Sequence, residues 1–278
     1  METAAAADYV YLRDLVFSIS QNVLDPSRDY LFETRLSRLL RYQGLNRLDE
    51  LVRSLRTEKN PRLERAVAEA MTINETSFFR DRRPFDLLRN ELLPQLIETR
   101  RPTRSLRLWS AACATGQEAF SLAMLLLEHF PLLAGWDIVV EGTDFSQEVI
   151  TRAQAGRFYR IEINRGLPAR FVVCYFDHAD EEWIVKPEVR RLCHFRQANL
   201  CGPVFPFARS TDRFDVIFLR NVMLYFGPET RRTLLARIHR LLPADGVLFL
   251  GASEQPIDLS LWIPVLAGGT SFYRPRRQ

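Results

Sequence analysis

The sequence contains few cysteines and histidines, and the spacing of these few excludes several kinds of site. Only four of each occur among 278 residues. Cys113, Cys174, Cys193 and Cys201 form no CxxC or CxxH pair, so they indicate neither a disulfide framework nor a zinc site. The histidines show no metal-ligand spacing either. We therefore expect a reducing, cytoplasmic setting and no metal.

Long apolar runs are also absent. The first fifteen residues, METAAAADYVYLRDL, carry acids early and contain no apolar stretch of signal-peptide length. No later run approaches the length of a membrane span. We therefore expect no signal peptide and no membrane insertion.

Lysine is nearly missing, although the chain is basic. Lys59 and Lys186 are the only lysines, and the other basic residues are arginines scattered along the chain, which carries a formal net charge of +4. Such a bias reflects composition more than nucleic-acid binding, so local arginine clusters matter more than the total. Hydrophobic residues make up 47% and charged residues 26%, which is ordinary for a globular protein of one or two domains.

Residues 1–72 are predicted to form a helical domain. Apolar residues recur at helical spacing in four segments, at 9–24, 29–42, 48–55 and 63–71. In the second segment Arg35, Arg38 and Arg41 recur every third residue and form a basic stripe beside the apolar face. A solvated helix face is the ordinary interpretation of such a stripe. Binding of an acidic substrate is the alternative.

Residues 106–127 predict a strand, a turn of small residues and a helix, as in the βα unit of nucleotide-binding folds. Ala112, Ala114 and Gly116 occupy alternate positions of the turn, so a ligand can approach the backbone closely. Gly116 is the one residue of the three that takes positive φ without strain, so we expect positive φ only there. Small residues at such turns also serve simple packing, and that alternative stays open here.

Further strands predict an α/β domain over residues 73–278. Residues 137–143 form a strand followed by Asp144, an acid placed to bind ribose hydroxyls. Residues 214–219 form a buried strand followed by Arg220 and Asn221, and 246–251 and 271–274 add two more. An insertion at about 157–195 is expected to contain a small antiparallel sheet. Its predicted strands are 170–176, 182–185 and 191–195.

Seven motifs in sequence order resemble one known family. They are NETSFFRD, SAACATGQE, GTDFS, GRFYR, ANL, FDVIFLRNVMLYF and LFLGASE, and they extend from Asn74 to Glu254. The chain resembles the CheR family of chemoreceptor glutamate O-methyltransferases, which use S-adenosylmethionine. The resemblance implies a Rossmann-like methyltransferase domain with a small β-subdomain, preceded by an all-α domain.

The resemblance also implies functional residues. Arg80 and Tyr225 match the residues that orient the substrate carboxylate. The resemblance implies cofactor contacts that include the small-residue turn. The residues are Asn74, Thr76, Arg80, Ala112, Glu118, Asp144, Asn199, Leu200, Arg220 and Asn221. The acidic receptor helices of this family suggest that Arg35, Arg38 and Arg41 bind substrate, and the β-subdomain docks a receptor C-terminal peptide in some members. No obligate partner is indicated, so we expect a monomer.

Two other functions are alternatives to methyl transfer to glutamate. A nucleic-acid methyltransferase acting on adenine generally has Asn/Asp-Pro-Pro-aromatic at the strand end where this chain has Arg220-Asn221-Val222-Met223, and both prolines are missing. Cytosine methylation needs a nucleophilic cysteine, and Cys201 is better explained as structural. A regulatory protein that binds the cofactor without transferring methyl groups is the second alternative, and the presence of both Arg80 and Tyr225 argues against it.

Overall fold

The helices predicted for the first seventy residues are present in the computed structural model, which describes residues 5–203, 207 and 213–277. They are α1 (Ala6–Ser20), α2 (Tyr30–Tyr42), α3 (Leu48–Glu58) and α4 (Pro61–Ala70). Each turns an apolar face toward one core that includes Leu12, Leu36, Leu51 and Val67. Asn60 begins α4, because its side-chain oxygen accepts hydrogen bonds from two backbone N–H groups of the first turn.

The chain divides into two compact units. The first contains the described residues up to Ile73, together with 201–203 and Tyr225–Thr230. The second contains the described residues of the remaining chain. Each unit has its own hydrophobic core.

The second unit alternates helices and strands, as the sequence predicts. Its helices are α5 (Arg83–Leu87), a π-helical turn (Leu88–Leu92), α6 (Leu93–Arg100), α7 (Gln117–His129), α8 (Gln147–Ala155), α9 (Arg160–Ile163), α10 (Ala169–Tyr175), α11 (Pro187–Arg190) and most of α12 (Pro228–Leu241). Its strands are β1 (Ser105–Ala111), β2 (Asp137–Asp144), β3 (Arg157–Tyr159), β4 (Phe176–Ala179), β5 (Glu182–Val185), β6 (Cys193–Gln197), β7 (Val216–Leu219), β8 (Val247–Leu250), β9 (Trp262–Ala267) and β10 (Thr270–Pro275).

Seven strands form the main sheet in the order β6-β2-β1-β7-β8-β10-β9. The first five are parallel, and β10 and β9 add an antiparallel hairpin at one edge. The hairpin partner β9 was not predicted from the sequence. The strand order reverses between β1 and β7, and ligands of open α/β sheets bind at such a switch point, beyond the carboxyl ends of the strands. The predicted α/β fold with a preceding all-α part is confirmed.

The insertion differs from the prediction in two of its three strands. Its small antiparallel sheet has the order β3-β5-β4, so the predicted strand at 182–185 is confirmed. The strand predicted at 170–176 is wrong, because most of that segment is α10, where Phe171 and Tyr175 are buried one helical turn apart.

The strand predicted at 191–195 is also wrong as a member of this small sheet. The segment contributes β6, which pairs in parallel with β2 in the main sheet. Gly142 of β2 allows this pairing, since a Cβ atom there would lie 2.5 Å from the ring of Phe195.

No helix within the described ranges is long and apolar enough to cross a membrane.

Candidate functional site

The turn between β1 and α7 follows a strand at the switch point of the sheet. Ala112, Ala114 and Gly116 have φ angles of 61°, 48° and 94°, so the expectation that only the glycine adopts positive φ is wrong. Backbone hydrogen bonds impose this conformation: Cys113 N–H donates to Thr143 O over 2.9 Å, and Gly116 N–H donates to Cys113 O over 3.0 Å. Two alanines therefore hold a left-handed conformation that costs about 1–2 kcal/mol for an L-residue, which is typical of functional loops.

Asp144, at the end of β2, is tied to this turn. Its Oδ2 accepts a hydrogen bond of 2.9 Å from Ala114 N–H, and its Oδ1 accepts one of 3.0 Å from Ser146 N–H. The carboxylate is buried, so these bonds fix both its place and its orientation. The predicted ribose-binding acid and the small-residue turn are thus parts of one hydrogen-bonded unit.

Arg220, at the end of β7, is buried and lies at the centre of a charge cluster. Its side chain is 1% exposed. Nη1 donates to Glu118 Oε2 over 2.9 Å, while Nη2 donates to Asp81 Oδ2 over 2.6 Å and to the backbone oxygen of Arg80 over 3.0 Å. Glu118 also accepts a hydrogen bond of 2.7 Å from the Ser110 hydroxyl. Two residues predicted to contact the cofactor, Arg220 and Glu118, therefore contact each other.

The segment before α5 presents Arg80 from a strained backbone. Its neighbours Phe79, Asp81 and Arg82 all have positive φ, between 36° and 65°. Phe79 N–H donates to the buried Ser121 hydroxyl over 3.0 Å, which joins the segment to α7. The half-buried Arg80 side chain donates to the backbone oxygen of Glu75 over 2.9 Å. It forms no ion pair with any residue that the structure describes. The Glu75 carboxylate, on which its charge acts, is paired with Arg165, so Arg80 keeps donors for an anion.

A further buried carboxylate, Glu254, lies beyond β8. Its two oxygens accept hydrogen bonds from the backbone N–H groups of Gly251, Asn221 and Leu224. Asn221, predicted to contact the cofactor, has a φ of 58°. The loops that follow β7 and β8 are therefore joined through one side chain.

The remaining predicted residues fall into two groups. In the first group, Asn74 and Thr76 precede Arg80 and are half-buried. Their side chains make no hydrogen bond within the described part of the chain. Asn199 and the buried Leu200, also in this group, follow β6. The second group, Tyr225, Arg35, Arg38 and Arg41, belongs to the other unit.

Asp81 and Glu254 were missed as site residues. The sequence carried a signal for both, since each is an acid inside one of the seven motifs: Asp81 ends NETSFFRD and Glu254 ends LFLGASE. Neither motif indicates a backbone N–H or a buried guanidinium as the partner of that acid.

Cys113 lies inside the β1–α7 turn but is not an activated nucleophile. Burial raises the pKa of its thiol well above the ordinary value, and the charges of Asp144 and Glu118 raise the pKa further. The group is therefore a thiol at neutral pH, and covalent thiolate chemistry is not available to it.

Comparison with known proteins gives consistent matches along the chain. The family described as "CheR methyltransferase, all-alpha domain" matches residues 7–72, and "CheR methyltransferase, SAM binding domain" matches residues 74–267. Chemotaxis protein methyltransferase 1 of Pseudomonas aeruginosa is 40% identical over 258 residues, which cover 91% of each chain. Chemotaxis protein methyltransferase Cher2 of Pseudomonas putida is 38% identical and covers 84% of each chain. Chemotaxis protein methyltransferase 1 of Vibrio cholerae is 37% identical, over 86% of this chain and 85% of that protein.

Proposed function

Because the chain belongs to the CheR methyltransferase family, we propose that it transfers the methyl group of S-adenosylmethionine to glutamate side chains of chemoreceptors, forming methyl esters. One observation carries the choice of a carboxylate as acceptor. Arg80 lies next to the charge cluster of Arg220 and has no ion-pair partner within the described residues, whereas Arg220 is paired twice. A guanidinium with donors to spare suits a carboxylate oxygen.

The buried residues suit the cofactor. At the carboxyl edge of the sheet, the described residues include the buried carboxylates of Glu118 and Asp144 and one buried guanidinium, that of Arg220. This balance favours a ligand with positive charges, as a sulfonium and an ammonium group provide. Asp144 would hold the ribose hydroxyls, and Asn74, Thr76, Asn199, Leu200 and Asn221 would complete the contacts.

The reaction needs alignment more than acid–base catalysis. When bound, the cofactor supplies an electrophilic methyl group on a positively charged sulfur. A glutamate side chain has a reference pKa near 4.3, so it is already an ionised nucleophile at neutral pH. Arg80 would hold one carboxylate oxygen while the other faces the methyl carbon, and correct placement supplies most of the rate. The raised pKa of the Cys113 thiol fits a reaction without a covalent enzyme intermediate.

For receptor recognition we propose the exposed arginines of α2. Arg38 and Arg41 are exposed, and they would attract the acidic methylation helices of a receptor. Arg35 has another task, because its Nη1 donates to Met71 O over 2.9 Å and to Thr72 O over 3.4 Å, at the end of α4. Arg35, which is predicted to bind substrate, therefore also caps the carboxyl end of α4. Binding of a receptor C-terminal peptide at the small sheet, the substrate role of Tyr225 and the monomeric state stay predictions.

The direct test is transfer of tritiated methyl from S-adenosylmethionine to receptor-enriched membranes, with nucleic acid as the competing acceptor. We expect label on a receptor-sized protein that is released at alkaline pH, as a methyl ester requires. Arg80→Ala should reduce the rate by about a hundredfold because it removes the alignment of the carboxylate. Arg101→Ala is the control, since that arginine is exposed on the surface at the end of α6 and forms an exposed pair with Glu98.

Three outcomes contradict the proposal. Label on nucleic acid would contradict the proposal that a glutamate side chain is the methyl acceptor. Cofactor binding without any label would favour a regulatory binding protein. An equal loss of rate in the Arg80 and Arg101 variants would remove the specific role of Arg80.

A further inference from the structure

Glu254 is buried, with 9% of its surface exposed. Among the described residues, its carboxylate accepts hydrogen bonds only from backbone N–H groups. Oε2 accepts from Asn221 N–H and from Gly251 N–H, each over 2.7 Å, and Oε1 accepts from Leu224 N–H over 3.3 Å. Bonds of 2.7 Å to an ionised oxygen are at the strong end of the range for backbone donors. One side chain thus fixes the loops after two neighbouring strands of the sheet.

Gly251 makes this arrangement possible. A Cβ atom at that position would lie 2.5 Å from Glu254 Oε2 and 2.9 Å from both the backbone nitrogen and Nδ2 of Asn221. Because real Cβ atoms do not approach this closely, any larger residue would displace the carboxylate or Asn221. The glycine is required here for close approach of the two loops.

Asn221 is the residue whose conformation depends on this contact. Its φ of 58° is a left-handed conformation, which asparagine tolerates better than most residues but which still needs support from its surroundings. The hydrogen bond from Asn221 N–H to Glu254 supplies that support. Without it the backbone after β7 is free to relax to negative φ, which turns the Asn221 side chain in another direction.

We propose that Glu254 is a positioning residue of the cofactor site, which holds Asn221 in the conformation that binds S-adenosylmethionine. The proposal rests on the proposed cofactor contact of Asn221. On this proposal, loss of the Glu254 carboxylate lowers cofactor affinity more than it lowers the free energy of unfolding. Glu254 itself need not touch the cofactor.

The test is the affinity for S-adenosylhomocysteine, measured by calorimetry without any methyl acceptor. Glu254→Gln keeps the size of the side chain but removes its charge and replaces one accepting oxygen by a donor. We expect its affinity to fall by about tenfold, the effect of weakening a charged hydrogen bond. Gly251→Ala keeps the carboxylate and displaces it, so it should lower the affinity in the same direction.

Asp215→Asn is the matched control. Asp215 is also a buried acid, 7% exposed, and it accepts hydrogen bonds from Arg100 Nε over 2.7 Å and Arg107 N–H over 2.8 Å. It precedes β7, at the opposite end of the strand from Asn221. Its substitution should lower the free energy of unfolding while leaving affinity for S-adenosylhomocysteine unchanged.

Hydrogen exchange provides the second readout. In Glu254→Gln we expect faster exchange at the amides of Asn221 and Gly251, with the amides of α7 unchanged. Wild-type affinity in Glu254→Gln, or an equal loss of affinity in Asp215→Asn, would overturn the proposal. A wild-type chain that does not bind S-adenosylhomocysteine would overturn the cofactor assignment and this inference together. Normal binding without label on receptors would overturn only the proposed acceptor.

Discussion

Arg220 and Glu118 form a buried ion pair in which Nη1 of the arginine lies 2.9 Å from Oε2 of the glutamate. The same guanidinium reaches Asp81 and the backbone oxygen of Arg80. Arg220 therefore connects the start of α7 with the segment that carries the proposed substrate-binding arginine. Its Nε is buried and has no hydrogen-bond partner among the described residues.

Arg220→Lys is expected to weaken both the fold and the reaction. Lysine keeps the charge, but its single ammonium cannot reach Glu118, Asp81 and the Arg80 carbonyl together. We expect the free energy of unfolding to fall by about 2–4 kcal/mol, as when a buried ion pair is broken. Methyl transfer should fall as well, because Arg80 loses a backbone anchor. Urea unfolding and initial rates test this.

The control is Arg152→Lys, because Arg152 forms an exposed pair with Glu162. Exposed pairs contribute about 0–1 kcal/mol, so little change is expected there. Wild-type stability and rate in Arg220→Lys would show that the cluster does not position Arg80.

Charge reversal on α2 tests the proposed receptor surface. The double variant Arg38→Glu, Arg41→Glu should raise KM for receptor at least fivefold at low salt, because attraction of an acidic helix becomes repulsion. Affinity for S-adenosylhomocysteine should not change. The comparison variant is Arg53→Glu, Arg62→Glu, which reverses two exposed charges on α3 and α4. If both double variants raise KM equally, the effect comes from total charge and the α2 surface has no special role.

Gly166 is expected to tolerate no side chain. It has a φ of 95°, and an added Cβ would lie 2.2 Å from the backbone oxygen of Phe78. Gly166→Ala therefore combines backbone strain with a clash, and we expect a loss of more than about 3 kcal/mol in the free energy of unfolding. Gly156→Ala separates the two causes, since φ is 62° there but the nearest atom lies 3.5 Å away. That variant should lose only about 1 kcal/mol, and equal losses would show that strain alone matters.

The cysteines should differ in reactivity in the native chain. Burial raises the pKa of the Cys113 and Cys193 thiols, while Cys174 is exposed. At pH 8 we expect iodoacetamide to label Cys174 first, the half-buried Cys193 more slowly, and the buried Cys113 only after unfolding in urea. Mass spectrometry of the labelled peptides identifies each site. Native labelling of Cys113 at the rate of Cys174 would contradict a buried, protonated thiol.

The raised pKa of a buried thiol also determines the direction in which the free energy of unfolding changes with pH. An acid whose folded pKa lies above its unfolded value favours the folded state below the unfolded pKa, near 8.5 for a thiol, and loses that contribution as the pH rises toward the folded value. Cys113→Ala should therefore reduce the decline of the free energy of unfolding above about pH 8.5. A decline of the same slope in this variant and in wild type would contradict burial of a titrating thiol.

The sequence predicts most strands of the main sheet because periodicity and strand ends are local signals. The strand end before Arg220, the acid after β2 and the helices of the first unit all depend on neighbours within a few residues. By contrast, α10 was predicted as a strand because its run of β-branched and aromatic residues favours strands, while burial of Phe171 and Tyr175 against the core favours the helix.

Local signals of this kind do not predict which charged residues pair with each other. Arg220 and Glu118 are both recognisable as motif residues, but no pattern shows that they pair with each other. The positive φ of Ala112 likewise accompanies a hydrogen bond from the turn residue Cys113 to Thr143 of β2, and it opposes the intrinsic preference of alanine. Tertiary contacts of this kind decide conformation where local preference is weak.

The cluster around Arg220 also has a consequence during protein synthesis. Its partners Asp81 and Glu118 precede it by 139 and 102 residues. At about 5–20 residues per second, a ribosome adds the missing hundred residues in roughly 5–20 seconds. During that interval Glu118 leaves the ribosome without its counter-charge, while α7 and β1 are already available to fold. The charge cluster therefore forms only after the second half of the chain has been made, and a nascent chain released before β7 should be a substrate for chaperones and proteases.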